Sequence, residues 1–243
     1  MKAPIREIFC SAQGEGPYVG VRQAFVRFEG CNLECVYCDT PQGPVGRCRV
    51  EVSPGSSEQM ELDNPLGLEE VRRCLRGYKQ VHSVSLTGGE PLLYADFIKA
   101  LKPGMDIYLE TNMALPEGAR KVAGEVRYVA GDLKVRESFP ERARYDDYLE
   151  AMVECFKILR RTEERDCFAK VVLLRGVDQE EVVGVVEQIR EYIACLVLQP
   201  VTPHGVVSWG PGVGEVLSLQ ERLLERGIET RIIPQAHKLW GAM

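Results

Sequence analysis

Six times along the chain a short apolar run is followed by an amphipathic stretch, and this alternation constrains the fold more than any other feature. The runs are VRQAFVRF (21–28), HSVSL (82–86), DIYLET (106–111), VRYVAGDL (126–133), AKVVLL (169–174) and ACLVLQ (194–199). Their β-branched and aromatic content predicts strands. Between them lie helical patterns at 68–78, 94–101, 116–123, 147–161, 182–193 and 216–227. In the fourth, for example, Leu149, Met152, Val153, Phe156 and Leu159 fall on one face. The last ends at Gly227, a suitable helix terminator. Strand and helix in strict alternation predict a parallel sheet with crossover helices. Six units rather than eight favour a partial (β/α)6 barrel, with a doubly wound open sheet as the alternative. A chain of 243 residues that is 45% hydrophobic supplies one large core, so residues 1–243 are expected to form a single domain. Residues 41–67, rich in Pro, Gly and Ser, break the alternation and are expected to be an irregular, poorly ordered insertion.

In a parallel barrel the strand ends share one rim, where such folds build their sites. Here those ends carry unusual residues. TGGEP (87–91) follows the second strand. Glu110, Thr111 and Asn112 end the third, and Asp132 and Lys134 the fourth. Arg175 follows the fifth, and Gln199 and His204 end or follow the sixth. Any one could be a solvated strand end; together they suggest a lined site.

The stretch GCNLECVYCDT (30–40) follows the first strand and holds Cys31, Cys35 and Cys38, spaced C-x3-C-x2-C. Zinc sites usually draw cysteines from two separated pairs. Cys48 could close a four-cysteine zinc site, which would make this a zinc-binding interaction module. Three thiolates on a [4Fe–4S] cluster instead leave one iron open to a small molecule. Cysteines 10, 74, 155, 167 and 195 are scattered on apolar faces and read as core. A net charge of −6, with no basic run, argues against nucleic acid as a partner. No apolar stretch is long enough for a membrane span, and the N-terminal residues lack the apolar core of a signal peptide. A cytoplasmic location with reduced thiols is expected.

The cysteine loop after the first strand, with TGGEP after the second, resembles the radical S-adenosylmethionine (SAM) superfamily. Its fold is a partial (β/α)6 barrel, and its open iron chelates the methionine end of SAM. The likeness extends further. SAQGEGPYVGVRQAFVRFEGCNLECVYCDT, TGGEPLL, LETN, DLK, LQPVTP and IPQAHK, in that order, are similar to the 7-carboxy-7-deazaguanine synthase family across nearly the whole chain. Members contract the ring of 6-carboxy-5,6,7,8-tetrahydropterin and release ammonia, on the way to queuosine and related deazapurines. A glycyl-radical-enzyme activase shares the cluster motif and TGGEP, but does not explain SAQGEG or IPQAHK.

The resemblance implies roles residue by residue. Cys31, Cys35 and Cys38 would bind the cluster. Tyr37, Cys38 and Asp39 would border SAM, and Gly88 and Gly89 would let backbone approach its ammonium, which Glu90 would offset. Asp132, Leu133 and Lys134 would also contact SAM. Ala12, Gln13, Gly14 and Glu15 would hold the pterin, with Thr87 a further contact. Arg27 would take the substrate carboxylate, unless an acid such as Glu29 occupies it. Thr40 would contact Mg2+. An external donor of flavodoxin or ferredoxin type, and a homodimer, are family expectations. Met113 departs from the glycine usual in LETN-type turns. Gln235 and His237 reach the site or pack as a C-terminal strand, and the KLWGAM extension carries no assigned role.

Overall fold

The computed structural model describes residues 1–41, 43–56, 58–140, 145–205, 207, 209–239 and 241. In chain order its elements are β1 (Lys2–Ala3), β2 (Ile5–Ala12), β3 (Arg22–Phe28), β4 (Arg47–Glu51), β5 (Gln59–Asp63), β6 (Leu66–Gly67), α1 (Leu68–Gly77), β7 (Ser83–Gly88), α2 (Ala95–Leu101), β8 (Ile107–Thr111), α3 (Pro116–Val122), β9 (Val126–Leu133), α4 (Tyr145–Ile158), β10 (Asp166–Leu173), α5 (Gln179–Ile189), β11 (Leu196–Pro200), α6 (Val213–Glu225) and β12 (Thr230–Ile232). All six expected strands and all six expected helices are present, with ends shifted by a few residues. Local chemistry explains several ends. Asp178 caps α5 by accepting from the Glu180 and Glu181 amides. Gly227, just beyond α6, takes a left-handed φ of 71°.

Strands β3, β7, β8, β9, β10, β11 and β12 lie side by side in that order, all parallel. Each helix touches the next, from α1 to α6. A doubly wound sheet would split the helices between two faces. One unbroken helical layer instead makes this the partial barrel, six β/α units closed by the short seventh strand β12.

The expected irregular insertion at 41–67 is a correction. Its middle forms a hairpin, β4 antiparallel to β5, and β4 lies parallel to β2. Strand β2, antiparallel to β3, carries the hairpin onto the edge of the barrel sheet. The signal for it is short but present. Cys48 and Val50 alternate with Arg47 and Arg49, and the first pair is buried. Pro and Gly fall outside the two strands, before and after the hairpin and, as Pro54 and Gly55, in its connection. The first helix, expected at 68–78, follows the segment as α1.

Alternation along the strands sorts side chains into two sets. On β10, Cys167, Ala169, Val171 and Leu173 face the helices, while Phe168, Lys170 and Val172 face the interior. On β8, Ile107 and Leu109 face out and Tyr108 and Glu110 face in. Tyr108, Phe168 and Val197 plug the lower interior, with Tyr18 packed against them. The inward positions above that plug are mostly polar, and they enclose the site. Among the described residues no helix is long and apolar enough to cross a membrane.

Candidate active site

Two adjoining cavities, of about 200 and 280 Å3, open at the barrel, the first within it and the second towards the edge formed by β2 and β4. They share Glu15, Arg27, Asp39, Thr40, Thr87, Glu110 and Gln235, so they are lobes of one cleft. The first lobe holds Cys31, Cys35, Cys38, Tyr37, Asp132 and Lys134. The second holds Ala12, Gln13 and Gly14 with a group of arginines. Sequence-predicted cluster and substrate residues thus meet on opposite sides of a shared wall. Arg175 and His204 line neither lobe.

The cysteine loop is tied down at several points. Glu29, buried at its start, accepts from the Val45 amide and from Asn64 Nδ2. The Val36 amide donates to the Ser138 carbonyl. Asn112 Nδ2 lies 3.6 Å from the Cys31 sulfur and 2.9 Å from Asn32 Oδ1. TGGEP clamps the other side: Gly89 donates to the Phe28 carbonyl and Glu90 to the Gly30 carbonyl. This revises the reason for the two glycines. A Cβ on Gly88 would lie 2.4 Å from the Phe28 oxygen, and one on Gly89 1.8 Å from the Gly30 oxygen. Gly88 admits the end of β3 and Gly89 the start of the cysteine loop, ahead of any ligand.

Two further expectations are corrected. Glu90 is 0% exposed and lines neither lobe. Its carboxylate accepts from the Leu92 amide, the Thr111 hydroxyl and the Asn112 amide, so it is a strut beneath the loop. Burial pushes its pKa up to about 7, against those hydrogen bonds and Lys134. Leu133 points into the outer core, and only its neighbours Asp132 and Lys134 reach the cleft.

Gln13 lines the second lobe, yet its side chain is committed inward. Its Nε2 donates to Gln23 and Glu110, and its Oε1 accepts from the Glu15 amide. Glu110, in turn, also accepts from Ser85 and Thr87. Arg27 gives its Nε to Glu7 at 2.7 Å, not to Glu29, and still lines both lobes. Thr40, at the junction, places its hydroxyl 3.5 Å from the Gly88 carbonyl. Met113, buried, adopts a left-handed φ of 59°, a conformation that glycine takes at less cost.

An alternating chain of charge crosses the floor. Lys134 Nζ is 2.7 Å from Asp132, Lys170 is 3.7 Å from Asp132, and Lys170 also pairs with Glu15. Burial would raise the Glu15 carboxyl, but Lys170 and a hydrogen bond from Gln235 hold it down at about 2. Lys134 is also driven well above its usual range, its burial outweighed by Asp132, and its ammonium sits 5.1 Å over the Tyr37 ring.

The C-terminal segment closes the cleft. Ala236 donates to the Gly14 carbonyl, and a Cβ on Gly14 would strike the His237 ring. Lys238 pairs with Asp39 at 2.7 Å, joining this segment to the cysteine loop. Residues 240, 242 and 243 of the extension lie outside the described residues. Sequence reasoning missed Lys170, a strand-interior residue, and Lys238.

The residues fit the groups that the cysteine spacing implies. Three thiols line one wall. In the same lobe, Asp132 Oδ1 and Gln199 Oε1 are buried acceptors with no donor among the described residues, as expected where a ligand brings hydroxyl or ammonium groups. Cys48 is 0% exposed in the outer core and lines neither lobe. That burial places Cys48 away from the other three thiols, so the four-cysteine zinc site is not favoured. A cluster asks less convergence, because each thiolate takes its own iron.

Comparison with known proteins agrees. Residues 25–189 match the family model described as the radical SAM superfamily. The chain is 45% identical over 241 residues to the 7-carboxy-7-deazaguanine synthase of Archaeoglobus fulgidus, covering 99% of each. It is 35% identical to that of Geobacter sulfurreducens, covering 99% of this chain and 98% of the relative. The crystal structure of QueE from Escherichia coli shares the fold, with a TM-score of 0.57 at 20% identity over 96% of this chain and 94% of that one. The chain belongs to the radical SAM superfamily and, within it, to the family of 7-carboxy-7-deazaguanine synthases.

Proposed function

We infer that the protein contracts the ring of 6-carboxy-5,6,7,8-tetrahydropterin to 7-carboxy-7-deazaguanine with release of ammonia. The observation that carries this reading is the two-lobed cleft, with three thiols in one lobe and the SAQGEG segment and Arg27 in the other. Full-length identity to synthases of this name supports it.

Cys31, Cys35 and Cys38 would hold the [4Fe–4S] cluster, and Tyr37, Asp39, Gly89, Asp132 and Lys134 would border SAM. When bound and reduced, that pair supplies a 5′-deoxyadenosyl radical. The protein's own contribution is placement. Asp132 and Gln199 offer acceptors to the ligand. Glu15, kept ionised by Lys170, offers an acceptor to pterin N–H groups, and Thr87 and Glu110 lie on the same wall. Arg27 offers donors to the carboxylate. Gln13 orders the Glu15 amide and Glu110 rather than spending its own amide on substrate. The aromatic plug fills the interior beneath the cleft.

Thr40 borders both lobes, which supports a Mg2+ contact shared with substrate oxygens and water. A single working domain over 1–243, a homodimer, a cytoplasmic location and a flavodoxin- or ferredoxin-type electron donor complete the proposal. The test is an anaerobic incubation of cluster-reconstituted protein with 6-carboxytetrahydropterin, SAM, Mg2+ and reductant. Mass spectrometry should find 7-carboxy-7-deazaguanine. No product from protein with a full cluster would refute the reading.

A further inference from the structure

Glu7, Arg27 and Arg49 stand in one row across three adjacent strands. Glu7 lies opposite Arg27 in the β2–β3 ladder and opposite Arg49 in the β2–β4 ladder. Register alone therefore brings the three side chains to one face. Glu7 Oε1 accepts from Arg27 Nε at 2.7 Å, and Glu7 Oε2 accepts from Arg49 Nη2 at 2.8 Å. All three line the second lobe, beside the stacked rings of Phe9 and Phe25. The carboxylate is the most enclosed member, with a side chain 14% exposed against 25% for Arg27 and 51% for Arg49.

We propose that Glu7 is a positioning residue that orients Arg27 for the substrate carboxylate, with Arg49 of the β4–β5 hairpin bracing it from the other side. This rests on the pterin-carboxylate reading above. A guanidinium has two edges able to grip a carboxylate, one through Nε and one through the paired Nη atoms. Glu7 engages Arg27 at Nε, which leaves the Nη edge for a ligand. Fixing that edge before binding removes rotamer freedom that the ligand would otherwise have to quench. The row carries two cations against one anion, a net single positive charge, which matches one substrate carboxylate. The hairpin thereby belongs to the substrate site, since its Arg49 occupies the second oxygen of Glu7.

A purely electrostatic role for Glu7 predicts the opposite sign. Removing an anion beside Arg27 would then tighten a carboxylate ligand. The test uses cluster-reconstituted protein with SAM and no reductant, so that nothing turns over. Calorimetry measures 6-carboxytetrahydropterin and tetrahydropterin without the carboxyl group, on wild type, Glu7→Ala, Glu7→Gln, Arg27→Met and the Glu7→Ala/Arg27→Met pair. Glu7→Ala should weaken the carboxylated ligand about tenfold and the plain pterin less than about twofold. In the Arg27→Met background Glu7→Ala should add no further loss. Glu7→Gln keeps the volume and one acceptor, should lose less, and decides the matter if Glu7→Ala does not fold. Tighter binding of the carboxylated ligand, equal losses for both ligands, or an undiminished loss in the Arg27→Met background would overturn the role of Glu7. If wild type shows no preference for the carboxylated ligand, the substrate reading itself fails, and the proposal with it.

Discussion

Gly89 lies against Gly30 so closely that a Cβ on Gly89 would stand 1.8 Å from the Gly30 carbonyl oxygen. That contact is backbone to backbone, so no rotamer relieves it. Gly89→Ala should therefore displace the loop that carries Cys31 and leave the protein deficient in iron after reconstitution. Gly184, inside α5 with open space around it, is the control. Gly184→Ala should keep wild-type iron and gain about 0.5–1 kcal/mol of stability. Wild-type iron content in Gly89→Ala would show that the loop does not depend on this approach.

The positions of the thiols give a second test. Cys35 lines the first lobe, whereas Cys48 is sealed in the outer core, where burial raises its thiol to about 12. Cys35→Ala should abolish the cluster's visible absorbance. Cys48→Ala should retain it, at a packing cost of roughly 1 kcal/mol. Loss of the absorbance in Cys48→Ala would contradict a three-thiolate site.

The Glu15–Lys170 pair has a pH signature. The Glu15 carboxyl titrates at about 2 in the folded protein against 4.5 ordinarily. Because its folded pKa is depressed, its stabilising contribution is fully present above 4.5 and is lost as pH falls towards 2. Lys170→Met leaves the half-buried Glu15 without its cation, while Asp132 keeps Lys134, and should cost about 3 kcal/mol near neutrality. The stability gap between wild type and Lys170→Met, read from denaturant unfolding by circular dichroism, should shrink as pH falls from 4.5 towards 2. A gap that stays constant over that window would show that Lys170 does not hold Glu15 ionised.

Thr40 borders both lobes, between the cysteine loop and the proposed substrate side. Thr40→Val should keep wild-type iron content and SAM affinity. Product formation should fall by roughly tenfold to a hundredfold, and its dependence on Mg2+ should weaken. Thr40→Ser should recover most of the rate. Wild-type turnover in Thr40→Val, with the same Mg2+ dependence, would remove the metal role from this residue.

Much of the barrel and half of its cleft are legible in the amino-acid sequence, and what is not legible has physical causes. Strand–helix alternation identifies all six units, because apolar runs of parallel strands and helical stripes are strong periodic signals. The cysteine spacing locates the first lobe. The hairpin at 47–63 is hidden because Pro and Gly around it outweigh the short alternation of RCRVE. Glu90 reads as a ligand because a motif shows which residues recur, not which way they point; its carboxylate turns to the Leu92 and Asn112 amides. Lys170 is invisible for the opposite reason. It sits mid-strand in an apolar run, and only the partly open interior of the barrel gives it partners in Glu15 and Asp132. Lys238 meets Asp39 across 199 residues of sequence, a distance no local pattern spans.

The most direct test of the two-lobed account follows a hydrogen atom between the lobes. Cluster-reconstituted enzyme is incubated anaerobically with SAM, reductant and 6-carboxytetrahydropterin deuterated at C6, and the nucleoside pool is examined by mass spectrometry. If the pterin occupies the lobe beside Arg27 with C6 facing the cysteine lobe, deuterium should appear at the 5′ carbon of the adenosyl group as product accumulates. Product forming while that carbon stays unlabelled would contradict the account, because the substrate would then be reacting somewhere other than across the wall that Glu15, Thr40 and Thr87 share.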